Sequence, residues 1–205
     1  ATLKTAVFQT PRMQLAIRIA ICAGALGLFL WNIDFPKTPN FDEAHYIPAA
    51  RALLEGRIVN TEHPPLGKWL IAQGMRVAGD NPLGWRISSV VAAVATLAAI
   101  PSLMSALGFS APWIIWAMLM TLFNQFLFVQ SRIAMLDTLM MPFLLWSWVH
   151  FARIWNQPLK ANEQRRALLS LGTLAGLAAS IKWVALFSLI WMGLSFAVVW
   201  LFRAW

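Results

Sequence analysis

The chain has 205 residues, 60% of them hydrophobic and 12% charged, against roughly 25% charged in an ordinary soluble domain. That balance excludes a water-soluble globule. The net charge of +8 does not point to nucleic acid either, because the basic residues mostly flank apolar stretches, where membrane orientation and anionic headgroups favour them. The single cysteine, Cys22, lies in an apolar stretch, so neither a disulfide framework nor a cysteine metal site can be built.

Charge-free stretches at 19–33, 87–131, 138–152, 167–181 and 183–202 are long enough to cross lipid at ~20 apolar residues per crossing. The fold class they predict is an all-α, polytopic integral membrane protein with about six transmembrane helices in a single domain, 1–205. The first span covers 12–33, from about Met13 to Ile33, and is expected to be a retained anchor, since nothing resembling an Ala-x-Ala cleavage site follows it. Residues 34–86 hold six of the eight acids, six basic residues and two of the three histidines, so they form an external loop. Within it Glu43–Gly56 places Tyr46, Ile47, Ala50, Leu53 and Leu54 on one helical face, and Pro65–Gly79 does the same with Leu66, Trp69, Leu70 and Met75. Both read as amphipathic helices lying on the membrane surface.

Five further spans fill 87–205. The second (Ile87–Leu107) and third (Trp113 to about Val129) are split by the turn at Gly108, and the fourth runs from Thr138 to about Trp155. The fifth and sixth share Ala167–Phe202, with the turn at Ser180-Ile181-Lys182-Trp183. The short basic segments set the orientation: the amino terminus, with Lys4, the 153–166 loop and Arg203 face the cytoplasm, as in a bacterial inner membrane.

The opposite side gathers Asp42-Glu43, His45, Glu62-His63, Lys68, Arg132, Asp137 and Lys182. Of two adjacent carboxylates, one can take a proton from a hydroxyl nucleophile while the other orients it. Cations at the same depth can bind phosphate, arginine through a bidentate fork and lysine as a point charge. Together they suit transfer of a group from a lipid phosphate to an acceptor hydroxyl. Each piece also has a plainer reading. Asp42 and Glu43 can cap a helix, Arg132 and Asp137 can pair with each other, and Lys182 can anchor the interface beside Trp183.

Four ordered motifs narrow the choice. Phe41-Asp42-Glu43-Ala44-His45-Tyr46, His63-Pro64-Pro65-Leu66-Gly67-Lys68, Ser131-Arg132-Ile133-Ala134-Met135-Leu136-Asp137 and Gly176-Leu177-Ala178-Ala179-Ser180-Ile181-Lys182-Trp183 resemble the amino-terminal half of the protein O-mannosyltransferase family, polytopic enzymes of GT-C architecture. The resemblance implies inverting transfer of a sugar, expected to be mannose, from a polyprenyl-phosphate carrier to an acceptor hydroxyl of a protein or lipid on the external face. It implies Asp42 as base with Glu43 as its partner, and Arg132, Lys68, His63 and Lys182 around the carrier phosphate, with Asp137 and His45 in support. It implies no cofactor or metal, the lipid-linked sugar being a substrate. Family members are longer, so the chain is expected to be too short to act alone. A non-catalytic subunit of a larger membrane complex is the alternative. A channel or transporter ranks last, because the spans are nearly free of charge.

Overall fold

The structure, a computed structural model, describes residues 10–57 and 62–203, without the side chains of Trp200 and Arg203. The charges of Lys4 and Arg203 used for orientation lie outside the described residues. In chain order the helices are α1 (Pro11–Leu30), α2 (Glu43–Leu54), α3 (Leu66–Ala78), α4 (Pro82–Ala106), α5 (Ala111–Leu122), α6 (Gln125–Gln130), α7 (Leu136–Asn156), α8 (Ala161–Ala179) and α9 (Ala185–Arg203). Among the described residues there is no strand.

Local chemistry sets several boundaries. Thr10 accepts a hydrogen bond from the Met13 amide and Pro11 occupies the first turn of α1. Asn81 accepts from the Gly84 amide at 3.1 Å, and Pro82 follows it at the start of α4. The third span, expected to be continuous, is broken: the Asn124 side chain caps a new helix through the Leu127 amide at 3.1 Å, so α5 and α6 are separate. An asparagine offering its own acceptor to the backbone favours a fresh helix start over the interior of an old one.

By length and apolarity, α1 and α4 each qualify as a membrane crossing, and α5 and Ala185–Val199 of α9 are shorter apolar helices. The other predicted crossings fall on α5 with α6, α7, α8 and α9. α4 is the hub, packing against α1, α3, α5 and α7; α7 in turn packs on α8. Its buried Ala92, Ala93 and Ala99 let neighbouring backbones approach closely. One face of α4 joins Phe29, Ile33, Leu97 and Met118, while the other joins Ile71, Met75, Leu136 and Leu139.

The two helices of the loop are folded into the bundle. α2 buries Glu43, Tyr46, Ile47, Ala49, Ala50 and Ala52, and α3 buries Gly67, Lys68, Ile71, Ala72, Gly74 and Met75. Of the expected apolar faces, Tyr46, Ile47, Ala50 and Met75 are buried, but Leu54 is 40% exposed, and α3 turns Gly67, Lys68 and Gly74 inward while leaving Trp69 49% exposed. The reason is close packing through glycines. A Cβ on Gly74 would lie 2.4 Å from the Gly84 carbonyl oxygen, and one on Gly84 would lie 1.9 Å from the Gly79 carbonyl oxygen. α3 therefore lies against the start of α4 with its small residues inward.

Candidate functional site at the loop-bearing end of the bundle

Gly67, Leu136 and Ile181 come from three of the four sequence motifs, and they touch. A Cβ on Gly67 would sit 2.5 Å from Leu136 Cδ2 and 2.9 Å from Ile181 Cγ2. The Leu66 amide also donates to the Ser180 carbonyl at 3.2 Å. The start of α3, the start of α7 and the turn after α8 are thereby joined at one end of the bundle.

The fourth motif joins them through Glu43, which is fully buried. Its carboxylate accepts from Arg86 Nε at 2.8 Å and Arg86 Nη2 at 2.9 Å, a bidentate pair. It also accepts from the Ala134 amide at 2.8 Å and the Asn40 amide at 2.9 Å. Arg86, equally buried, donates to the carbonyls of Ile33 at 2.9 Å and Thr38 at 3.4 Å. A buried pair of this kind is tolerable only when the remaining hydrogen-bonding capacity is filled, and here it is. The latch ties the start of α2, the start of α4, the end of the first span and the loop bearing Arg132.

Asp42, next in sequence, differs sharply. It is half-buried, meets no cation among the described residues, and accepts one long hydrogen bond, 3.4 Å, from the Tyr46 hydroxyl one turn along α2. Tyr46 is buried, its ring centroid 6.4 Å from that of His63. Its burial, with the negative charges of Asp42, Asp137 and Glu62, pushes the hydroxyl pKa up to about 12. The half-buried His63 has a buried Nδ1 without a hydrogen-bond partner among the described residues, while His45 is exposed. Lys68 is buried and donates to the His63 carbonyl at 3.0 Å; desolvation lowers its pKa, and the charge of Glu62 partly opposes that.

Arg132 and Asp137 do not pair with each other. Asp137 takes Lys182 Nζ at 2.7 and 2.8 Å, a half-exposed pair bridging α7 and the turn after α8. Arg132 donates from Nη2 to the carbonyls of Trp31 at 2.6 Å and Asn32 at 3.1 Å, with its guanidinium 5.1 Å from the Phe128 ring. α1 has ended there, so those carbonyls need a donor. Asp137 also lines a cavity of about 490 Å³ with Thr138, Gln130, Asn124 and apolar side chains of α5, α6 and α7. Among the described residues no group of three or more His, Cys, Asp or Glu side chains is placed to hold a metal ion.

Two features escaped sequence reasoning. Arg86 is the last charge before the 45-residue charge-free stretch, and a cation at the edge of an apolar span is a signal that a partner waits for it. The second is the cluster Arg51, Asp80 and Trp85. Asp80 accepts from Arg51 Nε at 2.6 Å and Trp85 Nε1 at 2.6 Å, tying the end of α2 to the α3–α4 turn and holding its carboxyl below the usual range. No local pattern marks it.

Residues 19–205 match the family model described as dolichyl-phosphate-mannose-protein mannosyltransferase. A polyprenol-phosphate-mannose–protein mannosyltransferase of Corynebacterium glutamicum is 31% identical over 197 residues, covering 80% of this chain and 38% of that protein. One from Mycolicibacterium smegmatis is 29% identical over 206 residues, covering 87% and 39%. The solved structure of the Saccharomyces cerevisiae protein O-mannosyltransferase Pmt1-Pmt2 complex bound to the sugar donor superposes with a TM-score of 0.83 at 20% identity, over 96% of this chain and 29% of that one. The chain thus spans well under half the length of these relatives. A family match over nearly the whole chain, on the membrane GT-C fold and with the four motifs brought to one end, leads to one conclusion: this chain belongs to the dolichyl-phosphate-mannose-protein mannosyltransferase family.

Proposed function

We propose that this chain carries the base and part of the phosphate-binding site of an integral-membrane mannosyltransferase. It spans the membrane about six times with its amino terminus in the cytoplasm, and works on the external face. Mannose passes from a polyprenyl phosphate to a serine or threonine hydroxyl of a protein. Asp42 takes the hydroxyl proton as that oxygen attacks the anomeric carbon; the bond from that carbon to the phosphate oxygen breaks with inversion, and polyprenyl phosphate leaves. Lys68, His63, Arg132 and Lys182 surround the developing phosphate charge, with Asp137 and His45 in support. Preplaced donors of this kind lower the barrier because they need no reorganisation as charge develops. Glu43 acts through position: its latch to Arg86 fixes the backbone that carries Asp42.

The observation that supports this reading best is the contrast among the carboxylates. Glu43 is saturated by four donors and Asp137 is held by Lys182, while Asp42 is half-buried and, among the described residues, bound by a single hydroxyl. A base must be able to reach the proton it removes.

The test is transfer from polyprenyl-phosphate-mannose to an acceptor peptide by membranes bearing the full protein. Asp42→Asn keeps size and polarity but removes the proton acceptor, and is expected to lower transfer by ~10²- to 10⁴-fold at unchanged expression. Unchanged transfer would remove Asp42 as the base. It would favour a non-catalytic subunit of a membrane complex, which should copurify stoichiometrically with its partner whatever residue stands at 42.

A further inference from the structure

Tyr46 is the chain's one tyrosine among 13 phenylalanines. It is a member of the larger apolar cluster, which also holds Ile71 of α3 and Leu136 of α7, and only 5% of the residue is exposed. A phenylalanine would fill that space equally well, and a buried hydroxyl without a partner costs ~1–3 kcal/mol. The partner is Asp42 Oδ2, at 3.4 Å across one helical turn. That distance is long for an O–H···O bond. Hydrogen bonds in catalytic sites commonly tighten when substrate binds.

We propose that Tyr46 is the positioning residue for Asp42, its hydroxyl holding one carboxylate oxygen so that the other is left to meet the acceptor. The inference rests on the reading of Asp42 as base. The ring is immobilised by the core, so its hydroxyl is aimed before substrate arrives, and the Asp42 side chain loses a rotational freedom it would otherwise have at a half-exposed helix start. The charged and titratable groups around the pair come from every neighbouring element. They are Glu43 with its Arg86 and His45 on α2 and α4, Glu62 and His63 on the preceding loop, Lys68 on α3, and Asp137 with its Lys182. Burial and the nearby carboxylates keep the hydroxyl protonated far above neutrality, so it remains a donor wherever the enzyme would work.

Two measurements test this in the full protein. First, 3-fluorotyrosine is placed at position 46 and its ionisation followed by ¹⁹F resonance. With Asp42→Asn, which removes the adjacent charge, ionisation should move to lower pH; an unmoved titration would show the two groups uncoupled and overturn the proposal. Second, Tyr46→Phe should lower kcat for mannosyl transfer by ~3- to 10-fold with KM for the acceptor unchanged, because a misaimed base weakens the transition state and not substrate binding. Combined with Asp42→Asn it should cost nothing further. An equal loss in both backgrounds would assign Tyr46 to packing alone. Should Tyr46→Phe fail to insert, the fluorotyrosine titration decides. If Asp42→Asn transfers normally while the titration still moves, the fault lies with Asp42 as base. If Asp42→Asn is inactive and the titration is unmoved, the positioning role alone fails.

Discussion

The two ends of the helical bundle use charge differently. At the loop-bearing end, ion pairs join Glu43 to Arg86, Asp137 to Lys182 and Arg51 to Asp80, binding together segments far apart in sequence. At the other end Arg12, Arg153, Lys160, Arg165 and Arg166 stand exposed, and Glu163 folds back locally to accept from the Lys160 amide at 3.0 Å. The first end spends its charge on tertiary structure, the second on its surroundings. The difference teaches that a cation beside an apolar span acquires meaning from burial and partner, not from its type.

The sharpest way to break this contrast is at the latch. Arg86→Ala or Glu43→Ala strands a buried charge and should each cost ~3–5 kcal/mol in unfolding free energy, read by denaturation in detergent micelles. The Glu43→Leu, Arg86→Met pair should cost less than the sum of the single changes. It will not be neutral, because the Ala134 and Asn40 amides and the Ile33 carbonyl also lose partners.

Gly84→Ala should come next, at about 3 kcal/mol by the same measurement. The new methyl would meet the Gly79 backbone oxygen, which cannot swing aside as a side-chain end can. Gly67→Ala should cost less, since the atoms it meets are side-chain methyls of Leu136 and Ile181 and not backbone.

A pH scan sharpens the comparison at Tyr46. Its pKa in the folded chain is raised to about 12 from an ordinary value of 10.0, so the protonated form is the one favoured by folding. The contribution is therefore fully present below pH ~10 and is lost as pH rises through about 12. The wild-type stability curve should fall there relative to that of Tyr46→Phe, which has no hydroxyl to ionise.

Lys182→Ala breaks a pair whose side chains are 23% and 32% exposed, so its stability cost should be no more than ~1 kcal/mol. Any larger loss seen in mannosyl transfer would then belong to the chemistry. Least of all should come from Arg165→Ala at the far end, within about 0.5 kcal/mol. A cost above 1 kcal/mol there would mean that the two ends are not so different.

Much of the helix order was legible in the sequence because lipid imposes a length and a composition on anything that crosses it, and polar turns stand out against that background. Helix α4 and the turn after α8 fell where the charge-free stretches predicted them. The break between α5 and α6 did not, since Asn124 carries no charge and interrupts the apolar run by a single capping bond. The candidate residues of the site were legible by type and order. Their partners were not: Arg132 goes to the carbonyls of Trp31 and Asn32, and Asp137 goes to Lys182, 45 positions away.

The sequence by itself determined an all-helical membrane chain and its family, because hydropathy and motif order are properties of the chain alone. Tertiary structure alone decided which of two adjacent acids would be sealed and which left open. Glu43 and Asp42 differ by one position, but on α2 that is about 100° of rotation. One side chain is thereby turned into the path of Arg86 and the Ala134 amide, the other toward Tyr46 and solvent.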